Sequence, residues 1–411
     1  MTIINYFIVN EVIQYLYKNI DILNFIKTNK QSYSFRDSIR FIQYPIDYLC
    51  KTQCTNTLPK RFKTLMLKQE HYVVILKSKN NQLGSYLSTQ VNLYNIFLCL
   101  GFDLALQPQT LPNSAIRMYI HDKFKNEICK GSLPVSLNLL TLGTSFNRGF
   151  VADTLPLGLK ELNFGIDFNQ DLKSCHLWSL ESLERLTFGT DFNQVLHRDY
   201  LPPNVLELTL GINFNREFDT DSLPVHLQLL TWKSTRSQPL KVGVLPSTLK
   251  TLILPFTYDF PFHCDLWPKS LEALQFGKIN NLIEPGSLSN GTLKHLTLGY
   301  YRHPLSKGTL PDTLTTLILH CDCGSPIQPG VLPTSLQKLQ LGTSYNQEIL
   351  PDSLPPNLLI LSLGKSYSHP LSIHAIPSSL QVIHCYHHYK LNLKGLPSEC
   401  QIKKYVVDQF S

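Results

Sequence analysis

Two short stretches of the chain hold residue types that bind metal ions. "HCDCG" (320–324) and "HCYHH" (384–388) bring histidine and cysteine together. Both side chains are zinc ligands when four donors surround the ion as a tetrahedron, and an open fourth position would activate a bound water. The two stretches lie 64 residues apart, so they serve one ion only if the fold brings them together. G-x-S-x-G, a phosphate-binding loop, H-E-x-x-H and paired C-x-x-C are absent, and these are the spacings that mark common catalytic machinery.

The elements that position these residues follow from a repeat. Aligned on Leu-Pro or its substitute, units begin at Leu111, Leu133, Leu155, Ser179, Leu201, Leu223, Leu245, Trp267, Ser289, Leu310, Leu332, Leu354, Ile376 and Leu396. Ten of the thirteen intervals are 22 residues and the others are 24, 21 and 20, so the period belongs to a structural unit that stacks on copies of itself. "LPVSLNLLTLGTSFNRGFVADT" (133–154) and "LPTSLQKLQLGTSYNQEILPDS" (332–353) show it best.

Apolar residues occupy the fifth, eighth and tenth places, as in Leu137, Leu140 and Leu142. The last two alternate with a polar residue, which predicts one short strand per unit with one face buried. A glycine follows at 143, 165, 189, 211, 277, 299, 342 and 364, where the spacing predicts a left-handed backbone. Phe or Tyr and then Asn come three and four residues later, as in Phe146–Asn147, Phe168–Asn169 and Phe192–Asn193. Stacked units place the rings in one core, and an Asn in each turn is expected to run as a hydrogen-bonded ladder. The expected fold is a right-handed solenoid with one parallel strand per turn and a small N-terminal α-helical segment.

In that frame the metal reading weakens. Cys385 takes the buried tenth place, His320 the glycine place, and Cys321 and Cys323 the loop after it. Three turns separate the clusters by roughly 15 Å at the spacing of paired strands. No metal, cofactor or catalytic residue is expected. Trp232 falls at a tenth place and Trp267 replaces the Leu of Leu-Pro, so both are expected in the core.

Charge divides the chain. Residues 1–130 hold 16 Lys+Arg against 8 Asp+Glu, whereas residues 131–411 hold 21 against 22. The repeats are therefore neutral and offer no basic stripe to a nucleic-acid backbone. No run of 18 uncharged apolar residues and no signal-peptide pattern occurs, so a cytoplasmic protein with reduced thiols and no membrane contact is expected.

The unit L-P-x-S-L-x-x-L-x-L-G-x-x-F-N resembles the FNIP repeat of social amoebae and giant viruses of amoebae, a relative of leucine-rich repeats. The resemblance covers residues 111–411 and implies a leucine-rich-repeat-like solenoid. Departures concentrate between about 232 and 331, where Lys233 and Pro255 replace the glycine and Arg236 the aromatic. Residues 41–110 read as degenerate repeats or linker, and "LPKRFKTLML" (58–67) keeps the Leu-Pro spacing.

Residues 1–40 break the repeat and carry apolar residues at helical spacing. "EVIQYL" followed by "DILNFIKTNKQSY" resembles an F-box, although Ile4–Asn5 replaces its usual Leu-Pro. The resemblance implies docking on the Skp-type adaptor of a cullin-RING ubiquitin ligase, with Val12, Ile13, Leu16, Leu23 and Phe25 at the interface or its supporting core. The competing reading has these helices merely cap the solenoid.

The polar side of the strands remains as a binding face. Its seventh- and ninth-place residues include Asn163, Arg185, Thr187, Glu207, Thr209, Gln275, His295, Thr297, Lys338 and Gln340. Rigid solenoid faces of this kind grip proteins. The expected function is a protein-interaction adaptor that selects a target for a ubiquitin ligase and is monomeric outside that complex, located in the cytoplasm (the host's, for a viral protein). The alternative is a binding scaffold with no ligase link. The irregular zone with Phe260, Phe262, Tyr300 and Tyr301 reads either as a hot spot or as drift.

Overall fold

The computed structural model describes residues 41–43, 46–52, 62–78, 82–89, 93–99, 101–236, 238–320, 325–390, 396–397 and 399–405. The F-box-like segment with Val12, Ile13, Leu16, Leu23 and Phe25 lies outside these residues, as do Cys321 and Cys323.

The chain forms two compact units. The first runs to Gln194 and includes Asp199–Asn204; the second holds Val195–Arg198 and everything from Val205 onward. In the first unit, β1 (Phe41–Gln43), β2 (Phe62–Leu67), β3 (Asn95–Leu98), β4 (Arg117–Ile120), β5 (Leu139–Thr141), β6 (Glu161–Asn163) and β7 (Arg185–Thr187) each lie parallel to the strand before. Helices α1 (Ile46–Thr52), α2 (Gln69–Lys77) and α3 (Gln82–Ser88) connect the first three strands.

The second unit repeats the plan with β8 (Glu207–Leu210), β9 (Leu229–Trp232), β10 (Thr251–Ile253), β11 (Ala273–Ile279), β12 (His295–Tyr301), β13 (Thr316–Leu319), β14 (Lys338–Leu341), β15 (Ile360–Ser362), β16 (Val382–Tyr386) and β17 (Gln401–Tyr405). All are parallel neighbours in chain order. Each sequence unit from Leu111 onward carries one of the strands β4–β17. Both units are thus leucine-rich-repeat-like solenoids.

Register follows the repeat. Leu140 pairs with Leu162 and Leu162 with Leu186, while Leu230, Leu252, Leu274 and Leu296 run in line in the second unit. These eighth-place leucines are at most 2% exposed, and each contributes about 1.5–3 kcal/mol by burial. Behind them Phe124, Phe146, Phe168 and Phe192 form a ring stack with centroids 6.2–6.5 Å apart. In the second unit Arg236 points outward, and Trp232 supplies the missing aromatic. Its indole packs on Phe218 at 4.9 Å and Tyr258 at 6.3 Å.

The glycine column has a different cause from the one expected. None of the eight glycines adopts a positive φ. A Cβ on Gly165 would instead meet the carbonyl of Gly143, one on Gly189 that of Gly165, and one on Gly364 that of Gly342. Successive turns approach too closely there for any side chain. Among the described residues, seven left-handed positions stand two places before Leu-Pro, at Gln109, Gly131, Asp153, Gly243, Gly308, Gly330 and Asp352, while Gly101, His176, Gly286 and Gly291 lie elsewhere. Glycine and aspartate tolerate that conformation best.

A second ladder was not read from the sequence. The fourth-place hydroxyl of a turn donates to the fifth-place carbonyl of the turn before. Ser270 Oγ reaches the Leu249 carbonyl at 2.7 Å, Ser335 that of Leu314 at 2.7 Å and Ser379 that of Leu358 at 2.7 Å. These carbonyls precede the strands and lack a strand partner, so the hydroxyls satisfy otherwise orphaned acceptors. The 24-residue interval is absorbed by two short 3-10 turns, Leu172–Ser174 and Leu177–Ser179, which bury Leu172, Cys175 and Leu177 and leave Trp178 outside. Among the described residues no helix is long and apolar enough to cross a membrane.

Candidate protein-binding surface

The strand face presents the seventh and ninth places of each turn, because the eighth points inward. In the first unit the register sets Glu161 beside Arg185 and Asn163 beside Thr187. Arg185 donates from Nε and Nη2 to Glu161 Oε2 at 3.0 and 2.8 Å, and Asn163 Nδ2 donates to Glu161 Oε1 at 2.9 Å. Burial pushes the Glu161 carboxyl up, but the Asn163 amide and the Arg185 guanidinium outweigh it and hold the carboxyl below its usual range. Asn163 and Arg185 therefore form one half-buried polar cluster with Glu161, and Thr187 stands beside Asn163 in register.

In the second unit Thr209 pairs with Thr231, and Gln275 pairs with Thr297. His295 and Lys338 flank Thr316 in the seventh-place row. Glu207, Gln275 and His295 are exposed, while Thr209, Thr297 and Lys338 are half-buried. Gln340 departs from the expectation: it is only 6% exposed. It stands between Ile318 and Ser362 in register, and Ser362 is itself fully buried. At these two turns the ninth-place side chains are buried, so the Gln340 amide is withdrawn from the face.

The expected core residues sit in the core. Trp232 and Trp267 are buried, and Trp267 Nε1 donates to the Ser287 carbonyl at 2.9 Å. Cys385 is fully buried, and His387 and His388 stand exposed beyond it. Two other His-containing clusters were not read from the sequence. His263, Cys264 and Asp265 are neighbours in a 3-10 turn region, and Asp47, Glu70 and His71 meet across α1 and α2. His71 has both ring nitrogens engaged: Nδ1 accepts the Lys68 N–H at 3.3 Å and Nε2 donates to Asp47 Oδ1 at 2.7 Å. That arrangement fastens the start of α2.

The irregular zone divides into core and surface. Tyr301 is buried, and Phe262 packs on Trp267 and Phe276 with centroids 5.5 and 5.2 Å away. The exposed pair is Tyr300 with Phe256, the latter missed because its place after Pro255 carries no repeat signal. Their rings meet edge to face at 5.7 Å.

The FNIP repeat pattern matches nine stretches that together cover residues 102–145 and 181–384, more than half of the chain. A crystal structure described as CroV588, a novel circular LRR protein, superposes with a TM-score of 0.66 at 27% identity over 85% of this chain and 54% of that one. A probable serine/threonine-protein kinase of Dictyostelium discoideum, fnkA, is 36% identical over 66 residues, which is 15% of this chain and 8% of that protein. The chain thus spans about half of the first relative and a small part of the second.

Proposed function

The chain belongs to the FNIP repeat family, and from that premise we propose that it is a protein-binding scaffold whose strand face selects a protein target. The observation that carries this reading is the pair of side-chain rows set in register along each unit's strands, with exposed Glu207, Gln275 and His295 among them. A backbone locked by parallel pairing presents such rows with little ordering cost on binding, which favours recognition of extended surfaces. Replacing Gln275 and His295 by Glu should reduce capture of protein targets by the intact chain; unchanged capture would remove the strand face from the reading.

The finer role we propose is target selection for a cullin-RING ubiquitin ligase. The N-terminal segment would dock on a Skp-type adaptor through Val12, Ile13, Leu16, Leu23 and Phe25, in the cytoplasm and as a monomer outside that complex. Support comes from the phrase "EVIQYL…DILNFIKTNKQSY". The mechanism is proximity between target and ligase, with no bond made or broken by this chain. The kinase likeness covers 8% of that protein, too little to carry its activity over. Purified Skp-type adaptor mixed with the intact chain tests the role: binding that Leu16→Asp and Leu23→Asp abolish supports it, and no binding leaves a scaffold without a ligase link.

A further inference from the structure

Two turns of the second unit depart from the common path after the glycine. Elsewhere the buried aromatic comes three residues after it, as in Gly143 to Phe146. In β11 and β12 the strand continues instead, and the buried residue comes two residues after, at Ile279 and Tyr301. Shortening the path by one residue leaves the intervening residues facing outward. Lys278 pairs with Tyr300 and Ile279 with Tyr301 in the extended register. Phe256 from the preceding turn joins them, its carbonyl accepting the Lys278 N–H.

The result is a hollow of about 390 Å³ lined by Phe256, Lys278, Asn280, Tyr300, Arg302 and His303. Its volume lies within the range of about 300–1,000 Å³ typical of ligand pockets. Phe256 and Tyr300 are 54% and 47% exposed. Grouped side by side at a concavity, the two rings make a contiguous exposed patch of the kind that marks interaction sites. One side is fixed by His303 Nε2, which donates to the Asn280 carbonyl at 2.5 Å. Asp259 is the nearby acid, and its two oxygens already accept from Asn280 and Asn281 at 2.9–3.2 Å. Lys278 and Arg302 make no ion pair among the described residues. The Asp259 carboxyl is held below its usual range by the Asn280 amide first and also by the charge of Lys278. The hollow therefore joins aromatic surface to two cations, Lys278 and Arg302, with one positive charge in excess over Asp259.

Resting on the protein-binding reading, we propose that this hollow receives an aromatic side chain from an acidic segment of a protein partner. The partner's ring packs against Phe256 and Tyr300, and its flanking carboxylates meet Lys278 and Arg302. Aromatic anchors in a pocket with charges at its rim are the usual makings of an interface hot spot. The net balance of 21 basic to 22 acidic residues over 131–411 leaves these cations as a local feature, too short for a nucleic-acid backbone.

A fluorescein-labelled copolymer of glutamate and tyrosine, titrated into the intact chain and followed by anisotropy, tests the proposal. Binding is expected, with a loss of about tenfold in the double variant K278E/R302E and a similar loss in F256S/Y300S. Circular dichroism of both variants should match the parent, since all four side chains lie at the surface. Raising salt on the parent protein should weaken binding, a readout that needs no variant. Equal or tighter binding of a lysine–tyrosine copolymer or of oligothymidylate overturns the proposal, as does equal affinity in the variants. If the copolymer does not bind but Gln275→Glu with His295→Glu still reduces capture of cellular protein, the hollow is overturned and the scaffold reading stands. Absence of both overturns both.

Discussion

Asn147 Oδ1 accepts two hydrogen bonds from the next turn, one from the Asn169 N–H at 3.0 Å and one from Gln170 Nε2 at 2.8 Å. Asn169 Oδ1 does the same one turn on, for the Asn193 N–H at 2.9 Å and Gln194 Nε2 at 2.8 Å. The phrase Phe-Asn-Gln thus works as a side-chain tie between turns where the strand ladder has ended. Asp103 plays the same part for Lys125 and Asn126, and Asp259 for Asn280 and Asn281.

Asn169→Ala leaves the Asn193 N–H without its acceptor and leaves Gln194 Nε2 with only the main-chain carbonyl of residue 169 at 3.1 Å, and should cost about 1–2 kcal/mol. Asn169→Asp keeps the acceptor and should lose less. Urea unfolding midpoints of the two variants check the order.

Gly165→Ala and Gly243→Ala should destabilise for different reasons. The first drives a methyl into the Gly143 carbonyl and should cost about 1–3 kcal/mol or more, because two turns must part. The second has nothing within 4 Å but a φ of +82°, so only left-handed strain applies, about 1–2 kcal/mol. Gly243→Asn should recover part of that loss, whereas Gly165→Asn should be worse than Gly165→Ala. Thermal midpoints that fail to separate the two sites would contradict the close-approach explanation.

Ser270→Ala removes the hydroxyl that donates to the Leu249 carbonyl. A loss of about 0.5–1.5 kcal/mol is expected. Ser270→Thr should retain the bond, since Thr248 and Thr292 make the same contact in neighbouring turns. Equal destabilisation by both substitutions would argue against the ladder.

Glu161 and Arg185 should couple by about 0.5–1 kcal/mol in a double-mutant cycle, modest because the guanidinium is partly solvated. The Glu161 carboxyl is held below its ordinary value of 4.5 in the folded protein. Its contribution is therefore complete above that value and is lost as pH falls through the lowered one. The stability gap between the parent and Glu161→Gln should be constant near neutrality and shrink under acid. A gap that widens under acid has the wrong sign for this pairing.

The period of the repeat carried most of the fold in the sequence. Leu140, Leu162 and Leu186 recur at strand spacing with polar neighbours, and a unit of about 22 residues cannot bury that stripe without stacking. Burial of Trp232, Trp267 and Cys385 followed from their places in the unit. The Asn ladder was legible too, since a polar residue recurring beside a core aromatic needs a partner in each turn. Roles that depend on distances between turns were not. Gly165 looks like a left-handed residue from its place after a strand, but only the packed turns show that the Gly143 carbonyl occupies the room for its Cβ.

Sequence alone therefore determined the solenoid class, the strand in each turn and the inward and outward places, because these depend on local alternation and a fixed period. Tertiary structure decided which outward residues are open. It withdrew Gln340, tied Asn163 and Arg185 to Glu161, and brought Phe256, Lys278, Tyr300 and Arg302 of three successive turns around one hollow. Residues that lie 22 or more positions apart in the chain become neighbours only through the register of the stack, and a one-residue change in path after a glycine is enough to turn a side chain from core to surface.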